Sequence, residues 1–339
     1  MTISEPASDP APASDPASVP VETAADAPES APPVAPAAPD SLGVAPVAAA
    51  FVPEAPIVDA SAAPTAQAPD TASGTAAGGP AGAPHTDEIP SFRLYRIWRD
   101  FLTGLGFFTR LPVPATDQPL AEAALLFPVV GAVIGVAAAA FYVLGLWIGF
   151  SALMSAILAV AGTAVLTGAL HDDGLADYAD MLGVRGDRQR KLAVMRNSTI
   201  GSYGTLALIF VNLLKVAALA DLALPGQVFS ALVAAHALSR GVLPFIMRSY
   251  PLARSNGLAV HAGKPHVRTT YAALVLGALF AGLVSGPGVA IVAAVAAFVV
   301  AFLVAHIAHR QLGGYTGDVL GAAEQLIEVT VILNFVSLA

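Results

Sequence analysis

Residues 123–170 read AALLFPVVGAVIGVAAAAFYVLGLWIGFSALMSAILAVAGTAVLTGAL, which is 48 consecutive residues without an Asp, Glu, Lys, Arg or His. A helix that crosses the hydrocarbon core of a bilayer needs roughly 20 apolar residues. The run is long enough for two crossings, and we expect a short turn between them near residues 145–151, GLWIGFS. The stretch therefore predicts an integral membrane protein.

Further apolar segments follow this run, and they extend the prediction to the rest of the chain. Five more candidate spans lie at about residues 200–220, 227–247, 269–286, 288–308 and 318–338. The sequence therefore predicts an all-α polytopic membrane protein with about seven transmembrane helices.

The overall composition supports this assignment. Of 339 residues, 56% are hydrophobic and 12% are charged, against roughly 25% charged in an ordinary soluble domain. The mean hydropathy is +0.70. These values exclude a soluble globular enzyme. The chain has no cysteine, which excludes thiolate chemistry and Cys-ligated metals.

The first 90 residues have a different character. They consist mainly of Ala, Pro, Ser, Asp and Glu and hold 18 of the 27 prolines. Such a segment cannot bury enough apolar surface to offset its ordering entropy. We predict a disordered acidic arm over residues 1–90 and a transmembrane catalytic domain over residues 91–339. The formal charge of −8 divides accordingly into −12 for residues 1–92 and +4 for the remainder.

The distribution of basic residues predicts an orientation. With seven spans, 14 of the 16 Lys and Arg residues fall on one side, in residues 91–122, 171–199, 248–268 and 309–317. Cytoplasmic loops of membrane proteins carry an excess of Lys and Arg. We therefore expect the arm and the polar loops in the cytoplasm. The segment SFRLYRIWRDFLTGLGFFTR (91–110) predicts an amphipathic helix at the membrane surface.

Acidic residues are concentrated in one short segment after the second predicted span. The segment HDDGLADYAD (171–180) holds four of the twelve acidic residues of the body. On a helix, Asp173, Asp177 and Asp180 project from one stripe, where their like charges repel one another. A divalent cation would neutralise them, and oxygen ligands favour Mg²⁺, Mn²⁺ or Ca²⁺. The alternative is that these carboxylates simply lie at a solvated, acidic helix end. The apolar residues on the other face of the same helix favour the first interpretation, in which the carboxylates point toward a polar cavity.

A basic segment follows, RGDRQRKLAVMRNSTIGSYG (185–204). Basic residues beside a metal-binding stripe suit a phosphate-bearing substrate, and Arg196 is the strongest candidate. The helix start at Gly201 and Gly204 would offer free backbone amides to a phosphate. The alternative is that these basic residues only set the membrane topology and bind anionic lipid headgroups.

A second polar motif is GGYTGDVLGAAEQLIE (313–328). It places Asp318, Gln325 and Glu328 at the start of or inside an apolar span, where acidic residues are functional by default. Asp318 alternatively caps the helix. Lys215 and Arg240 lie within spans and are candidate partners of these acids. Among the histidines, His171 is singled out because it directly precedes the acidic stripe.

Several of these segments together resemble one known family. GALHDDGLADYADML (168–182), RKLAVMRNSTIGSYG (190–204), LGGYTGDVLGAAEQLIE (312–328) and FFTRLPVP (107–114) resemble the cobalamin synthase family of adenosylcobinamide-GDP ribazoletransferases. The resemblance covers about residues 100–339. It implies a multi-pass inner-membrane enzyme that joins adenosylcobinamide-GDP to α-ribazole or its 5′-phosphate, releases GMP and requires Mg²⁺.

The resemblance also implies roles for particular residues. Asp173, Asp177 and Asp180 match the family's acidic motif and are expected to bind the metal. Asp318, Gln325 and Glu328 match its second motif and imply a further metal or substrate site. In this interpretation Arg196 neutralises phosphate charge, and either His171 or a carboxylate of the stripe acts as general base.

Two other functions compete with this one. A CDP-alcohol phosphotransferase also carries spaced Asp residues on membrane helices, but Asp177 stands where that family has Arg. A transporter would explain charges within spans, but we find no inverted repeat. We expect the lipid bilayer and the small-molecule substrates as partners, together with a homo-oligomer or other cobalamin-assembly enzymes, and no nucleic acid.

Overall fold

A computed structural model describes residues 90–114 and 116–338. The predicted arm at residues 1–90 thus lies almost entirely outside the described residues. The described part is helical, as predicted. Its helices are α1 Pro90–Phe108, α2 Phe127–Trp147, α3 Ala152–Thr167, α4 Leu170–Gly183, α5 Arg188–Val194, α6 Ser202–Leu222, α7 Pro225–Ser249, α8 Leu258–Ala262, α9 Val267–Ser285, α10 Pro287–Leu312 and α11 Gly317–Leu338, and a 3-10 helix spans Leu120–Leu126.

The predicted membrane spans correspond to these helices. Within the described residues, six helices are long and apolar enough to cross a membrane: α2 with its preceding 3-10 helix, α6, α7, α9, α10 and α11. The 48-residue run divides into α2 and α3 at the predicted turn, where the Ser151 hydroxyl caps α3 by accepting from the Met154 amide. Helices α3 and α4 are long and apolar enough only when taken together, and they are bent by 93° at their junction, as in a broken span or a re-entrant loop.

The bend between α3 and α4 has a local backbone cause. Gly168 and Ala169 both adopt left-handed conformations, with φ of 64° and 55°. Two such residues in succession end one helix and start the next in a new direction. Ala169 is one of two non-glycine residues with positive φ among those described, a conformation that costs an L-residue energy. The break directs the acidic motif on α4 across the bundle rather than along α3.

Helix α7 lies at the centre of the bundle. Its most apolar 18-residue stretch is 83% buried, the highest share among the six candidate spans. Helix α2 approaches it closely through two glycines. A Cβ atom on Gly131 would overlap the backbone carbonyl of His236, and one on Gly135 would lie 2.7 Å from the Leu232 oxygen. Small residues permit this contact, since helices in lipid associate through close packing rather than through a hydrophobic driving force.

Substitution of Gly131 with Val is expected to destabilise the bundle by at least about 1–3 kcal/mol, because the added carbons force the backbones of α2 and α7 apart. Thermal unfolding of the purified protein in detergent measures the effect. Gly226 is the control, because a Cβ added there meets nothing within 4 Å. Equal melting temperatures for Gly131→Val and Gly226→Ala would contradict this packing.

The polar loops gather at one end of the bundle. Arg188 donates hydrogen bonds to the carbonyls of Leu312 and Ala253, and Lys191 contacts Gln311. The loop at residues 250–257 is further held by Tyr315, whose amide donates to the Pro251 carbonyl at 2.9 Å. The grouping expected from the basic residues is thus present, while the cytoplasmic assignment of this end stays a prediction.

The predicted amphipathic helix is present as α1. Its side chains Leu94, Ile97 and Trp98 are more than half exposed, at 67%, 53% and 58%. An exposed apolar stripe of this kind suits a helix at a membrane surface.

Candidate functional site

The two polar motifs meet where α4 crosses α11. A Cβ atom on Gly174 would lie 2.8 Å from the Asp318 backbone oxygen, and one on Gly321 would lie 3.2 Å from the Gly174 Cα. Only glycine permits backbones to approach this closely. The crossing therefore brings together motifs that are about 140 residues apart in the sequence.

A pocket opens beside this crossing, with a volume of about 150 Å³; we call it the front pocket. Its charged or titratable lining residues are His171, Asp173, Arg254 and Asp318, and the rest of the lining is mainly apolar. Arg254 Nη2 lies 3.3 Å from Asp318 Oδ2. The front pocket thus combines residues of both motifs with an arginine from the loop after α7.

Asp173 and Asp318 line this pocket, and Asp177 lies one turn along α4 from Asp173 without lining it. Among the described residues, the carboxylate oxygens of these three do not all come within 4.8 Å of one another. Asp318 acts electrostatically on both Asp173 and Asp177. Asp173 is exposed and Asp177 is half-buried. The side-chain hydrogen bonds and ion pairs of the described residues include the Asp318 carboxylate but neither of the other two. The carboxylates of Asp173 and Asp177, which accept no hydrogen bond among the described residues, are oxygen donors of the kind that suits a hard divalent ion.

Asp318 does not serve as a plain helix cap. The Val319 amide donates to the Thr316 hydroxyl at 3.4 Å, and this hydroxyl also contacts Asp318 Oδ2 at 3.0 Å. Thr316 therefore occupies the capping position, and the Asp318 carboxylate faces Arg254. This placement supports the functional interpretation of Asp318 over the capping alternative.

Asp180, the third member of the predicted stripe, is buried and turned toward α6. Its two oxygens accept hydrogen bonds from the amides of Gly201 at 2.6 Å and Gly204 at 2.9 Å. These are the amides that the sequence suggested would be free for a phosphate. That expectation is wrong, because Asp180 already binds them. The role of Asp180 as a metal ligand stays a prediction, and the structure gives it a capping role as well.

Replacement of Asp180 with Ala is expected to destabilise the protein by about 1–2 kcal/mol, the usual effect of losing a helix cap. The measurement is thermal unfolding in detergent. Asp180→Asn, which retains an acceptor, should recover part of the loss. A purely metal-binding Asp180 would instead leave the unfolding temperature of the metal-free protein unchanged or raise it through relieved repulsion.

Gln325 and Glu328, predicted to share a site with Asp318, lie deeper in the bundle. Glu328 pairs with Lys215 at 2.8 Å, and the Gln325 carbonyl oxygen accepts from Lys215 Nζ at 2.5 Å. Both face a second, smaller cavity of about 20 Å³, room for about one water molecule. Neither residue is among those lining the front pocket, so the structure separates them from Asp318.

These two residues belong to a larger cluster of buried charges. Arg240 Nη1 lies 2.6 Å from Glu324 Oε1, and His236 Nδ1 lies 3.1 Å from Glu328 Oε2. We call Lys215, His236, Arg240, Glu324 and Glu328 the core ion network. The sequence identified Lys215 and Arg240 as candidate partners of internal acids, and the structure confirms this: each pairs with one glutamate.

The core ion network has the donor types of a metal site, since ligand atoms of His236, Glu324 and Glu328 lie within 4.8 Å of one another. Two cationic side chains, however, already contact the same carboxylates. Two glutamates and two cations compensate each other's charge. We therefore interpret the network as a structural charge cluster, and the carboxylates at the front pocket remain the stronger candidates for a metal.

His171 is placed between the two cavities and lines both. Its Nδ1 atom lies 3.5 Å from Glu324 Oε2, and its ring packs 5.6 Å from the ring of Phe108. The imidazole therefore lies against the core ion network on one side and lines the front pocket on the other, without a hydrogen bond to Glu324 Oε2. Such an arrangement suits a residue that handles a proton.

Arg196 is exposed and does not line the front pocket. Its Nη2 atom donates to Asn256 Oδ1 at 3.3 Å, in the loop that carries Arg254. Sequence reasoning missed Arg254. The available signal was its location in a polar segment on the same side as the acidic motifs, but nothing in that segment distinguished it from its basic neighbours.

Comparisons with known proteins give one consistent family. Residues 100–336 match the family described as "Cobalamin-5-phosphate synthase". A relative from Bradyrhizobium diazoefficiens, named adenosylcobinamide-GDP ribazoletransferase, is 43% identical over 250 residues, which is 72% of this chain and 96% of the relative. Relatives of the same name from Mesorhizobium japonicum and Shewanella amazonensis are 41% and 39% identical, and the matches cover 70% and 69% of this chain and 93% of each relative. No solved structure matches the chain.

Proposed function

Because the chain belongs to the cobalamin-5-phosphate synthase family, we propose that it is an adenosylcobinamide-GDP ribazoletransferase. It would join adenosylcobinamide-GDP to α-ribazole, or to its 5′-phosphate, and release GMP. One observation carries the proposal beyond the relatives' name: the two family motifs meet at one pocket, where carboxylates and an arginine converge. A substrate with a pyrophosphate requires this combination of groups.

In this reaction, a free ribose hydroxyl of the acceptor, other than the 5′-oxygen that is esterified in the 5′-phosphate, forms a bond to the phosphorus on the cobinamide side, and the bond from that phosphorus to the bridging oxygen breaks. GMP leaves with the bridging oxygen, and the proton of the attacking hydroxyl passes to a base. Displacement at phosphorus needs aligned reactants and neutralised charge more than covalent chemistry from the protein. The residues at the front pocket supply these requirements.

The residues present fit Mg²⁺, which the family resemblance implies. Asp173, Asp177 and Asp318 offer hard oxygen ligands, and the side chains of Asp173 and Asp177 make no hydrogen bond within the described part of the chain. Asp180 would contribute only through lone pairs not used by the two amides it caps. When bound, Mg²⁺ neutralises phosphate charge and polarises the phosphoryl group.

Two cationic side chains and one histidine complete the proposed roles. Arg254 faces the pocket and would bind a phosphate oxygen once its pairing with Asp318 is exchanged for the substrate. Arg196 lies outside the lining and would act on phosphate charge from the rim, beside Asn256. His171, which lines the front pocket 3.5 Å from Glu324 Oε2, is the better-placed general base, while the carboxylate of Asp173 is the alternative.

The proposal includes a location. The end of the bundle that carries the front pocket also carries the basic loops, and the positive-inside rule favours a reaction on the cytoplasmic face; the inner membrane is what the family resemblance implies. Phosphorylated, charged substrates would then reach the pocket from the cytoplasm without crossing the bilayer.

The test uses the full-length protein reconstituted in lipid vesicles. Adenosylcobinamide-GDP, α-ribazole and Mg²⁺ are added together, and we expect equimolar GMP and adenosylcobalamin. Omission of α-ribazole or addition of EDTA should stop GMP release. CMP release from a CDP-alcohol would instead identify a CDP-alcohol phosphotransferase, and uptake of labelled cobinamide without a covalent product would identify a transporter.

A further inference from the structure

Another cavity lies away from the front pocket, and neither the core ion network nor the proposed reaction uses it. It has a volume of about 330 Å³ and is enclosed by α1, the 3-10 helix and the segment that leads from α8 into α9; we call it the interface pocket. We propose that the interface pocket binds the headgroup of one anionic phospholipid. This binding site goes beyond the proposed reaction and does not depend on it.

The interface pocket is lined mainly by polar side chains and has an excess of positive charge. Five of its eight lining residues are polar, namely Arg96, Glu122, Lys264, His266 and Thr269. The ion pairs within the described part of the chain include none of Arg96, Glu122 and Lys264. Two cations and one carboxylate leave the pocket able to attract an anion.

His266 adds a hydrogen-bond donor to the interface pocket. Its Nδ1 atom accepts from the Arg268 amide at 3.2 Å and thereby caps α9. A neutral imidazole carries hydrogen on only one of its two nitrogens, so in His266 that hydrogen lies on Nε2. This N–H group and the Thr269 hydroxyl, in the first turn of α9, are suited to donate to the oxygens of a phosphate.

The position of the interface pocket along the bundle favours a lipid over a soluble anion. Helix α9 is a candidate span that begins at Val267, directly after His266. Its exposed apolar side chains Val267, Tyr271 and Val275 recur every four residues, so they form one face toward the hydrocarbon. That face begins beside the pocket, which places the pocket at the level of the lipid headgroups.

Helix α1 forms another wall of the interface pocket and also carries groups that suit a lipid. Next to Arg96 it exposes Leu94, Ile97 and Trp98, which are able to contact acyl chains. Long basic side chains on such a helix reach the phosphate level of the bilayer. A phospholipid with a negative headgroup therefore matches both the charged pocket and its apolar surroundings, whereas a free phosphate matches only the pocket.

The interface pocket is separate from the front pocket, and the two share no lining residue. Leu120 and Ala262 line the front pocket, whereas the residues that follow them, Ala121 and Gly263, line the interface pocket. The 3-10 helix and the end of α8 therefore form part of a wall between the two cavities. The substrate phosphates proposed to bind Arg254 lie on the other side of this wall.

The test measures lipid binding to the purified full-length protein in a non-ionic detergent. Dioctanoyl phosphatidylglycerol is titrated, and native mass spectrometry gives the Kd of the first bound lipid. Dioctanoyl phosphatidylcholine, whose headgroup has no net charge, is the comparison. We expect phosphatidylglycerol to bind at least about 10-fold more tightly, because each nearby Lys or Arg strengthens the binding of anionic lipid about fivefold.

Two double variants distinguish the pocket from the general charge of this end of the bundle. Arg96→Gln with Lys264→Gln removes both cations of the interface pocket and should weaken phosphatidylglycerol binding at least about 10-fold. Arg185→Gln with Arg310→Gln removes the same charge from exposed residues that do not line the pocket, and it should change the Kd less than about twofold.

A single variant provides the answer if the first double variant does not fold. Thr269→Glu places a negative charge in the interface pocket, within the first turn of α9, where an acidic residue stabilises a helix. It should weaken phosphatidylglycerol binding as strongly as the loss of both cations. Thr269→Gln has nearly the same size without the charge and should retain most of the binding.

Three results would overturn the proposal. Equal affinities for phosphatidylglycerol and phosphatidylcholine would show that the headgroup charge is not recognised. Equal losses in the two double variants would show a general effect of charge and no site. Binding of inorganic phosphate to the wild type as tight as that of phosphatidylglycerol would assign the pocket to a soluble anion. The transferase reaction is tested separately by GMP release, so failure of one proposal leaves the other intact.

Discussion

Replacement of Asp173 with Asn should lower the Mg²⁺-dependent rate of GMP release at least about 100-fold, in the range typical for loss of one group that stabilises transition-state charge. Asp173 lines the front pocket beside Asp318, and its carboxylate is exposed without a protein donor. The amide keeps the shape of the side chain and removes its charge. The measurement is GMP formation by protein reconstituted in lipid, over a range of Mg²⁺ concentrations.

The matched control is Asp117→Asn, since Asp117 is an exposed aspartate that does not line the front pocket. It should retain the wild-type rate. Because the Asp173 carboxylate accepts no hydrogen bond among the described residues, its variant should also melt no lower than the wild type. Near-normal turnover by Asp173→Asn would overturn the assignment of this residue.

The other large effect is expected on stability. Substitution of Arg240 with Ala should destabilise the folded protein by about 3–5 kcal/mol, because it leaves a buried carboxylate without its cation. The Arg240 and Glu324 side chains are 1% and 0% exposed and are 2.6 Å apart. The measurement is the loss of the folded fraction on heating in detergent.

A double variant distinguishes loss of charge balance from loss of packing. Arg240→Met with Glu324→Leu removes both charges and keeps apolar volume, and it should recover much of the stability lost by Arg240→Ala. Arg99 and Asp100 provide a partly exposed comparison, with side chains 37% and 13% exposed and 3.7 Å apart; Arg99→Ala should cost at most about 1 kcal/mol. Equal melting temperatures for Arg240→Ala and Arg99→Ala would contradict a stabilising core ion network.

The helical bundle could be predicted from sequence because hydropathy acts along the chain. Within lipid, a backbone must satisfy its own hydrogen bonds, so a 20-residue apolar run has few alternatives to a helix. The turn in residues 145–151 and the candidate spans are accordingly present. The prediction that Asp173, Asp177 and Asp180 lie on a helix was correct, yet Asp180 turns away to cap α6. Helical spacing does not specify what packs against each side chain.

The sequence by itself determined that this protein spans the membrane, which family it resembles and which two motifs carry its acidic residues, since these properties are local along the chain. Only the tertiary structure decided how those residues are divided. Gly174 and Gly321 let α4 and α11 cross so closely that Asp173 and Asp318 share the front pocket with Arg254. One turn further along α11, the Glu324 carboxylate is enclosed by α7. There the cost of an unpaired charge requires a cation, and Arg240 supplies it.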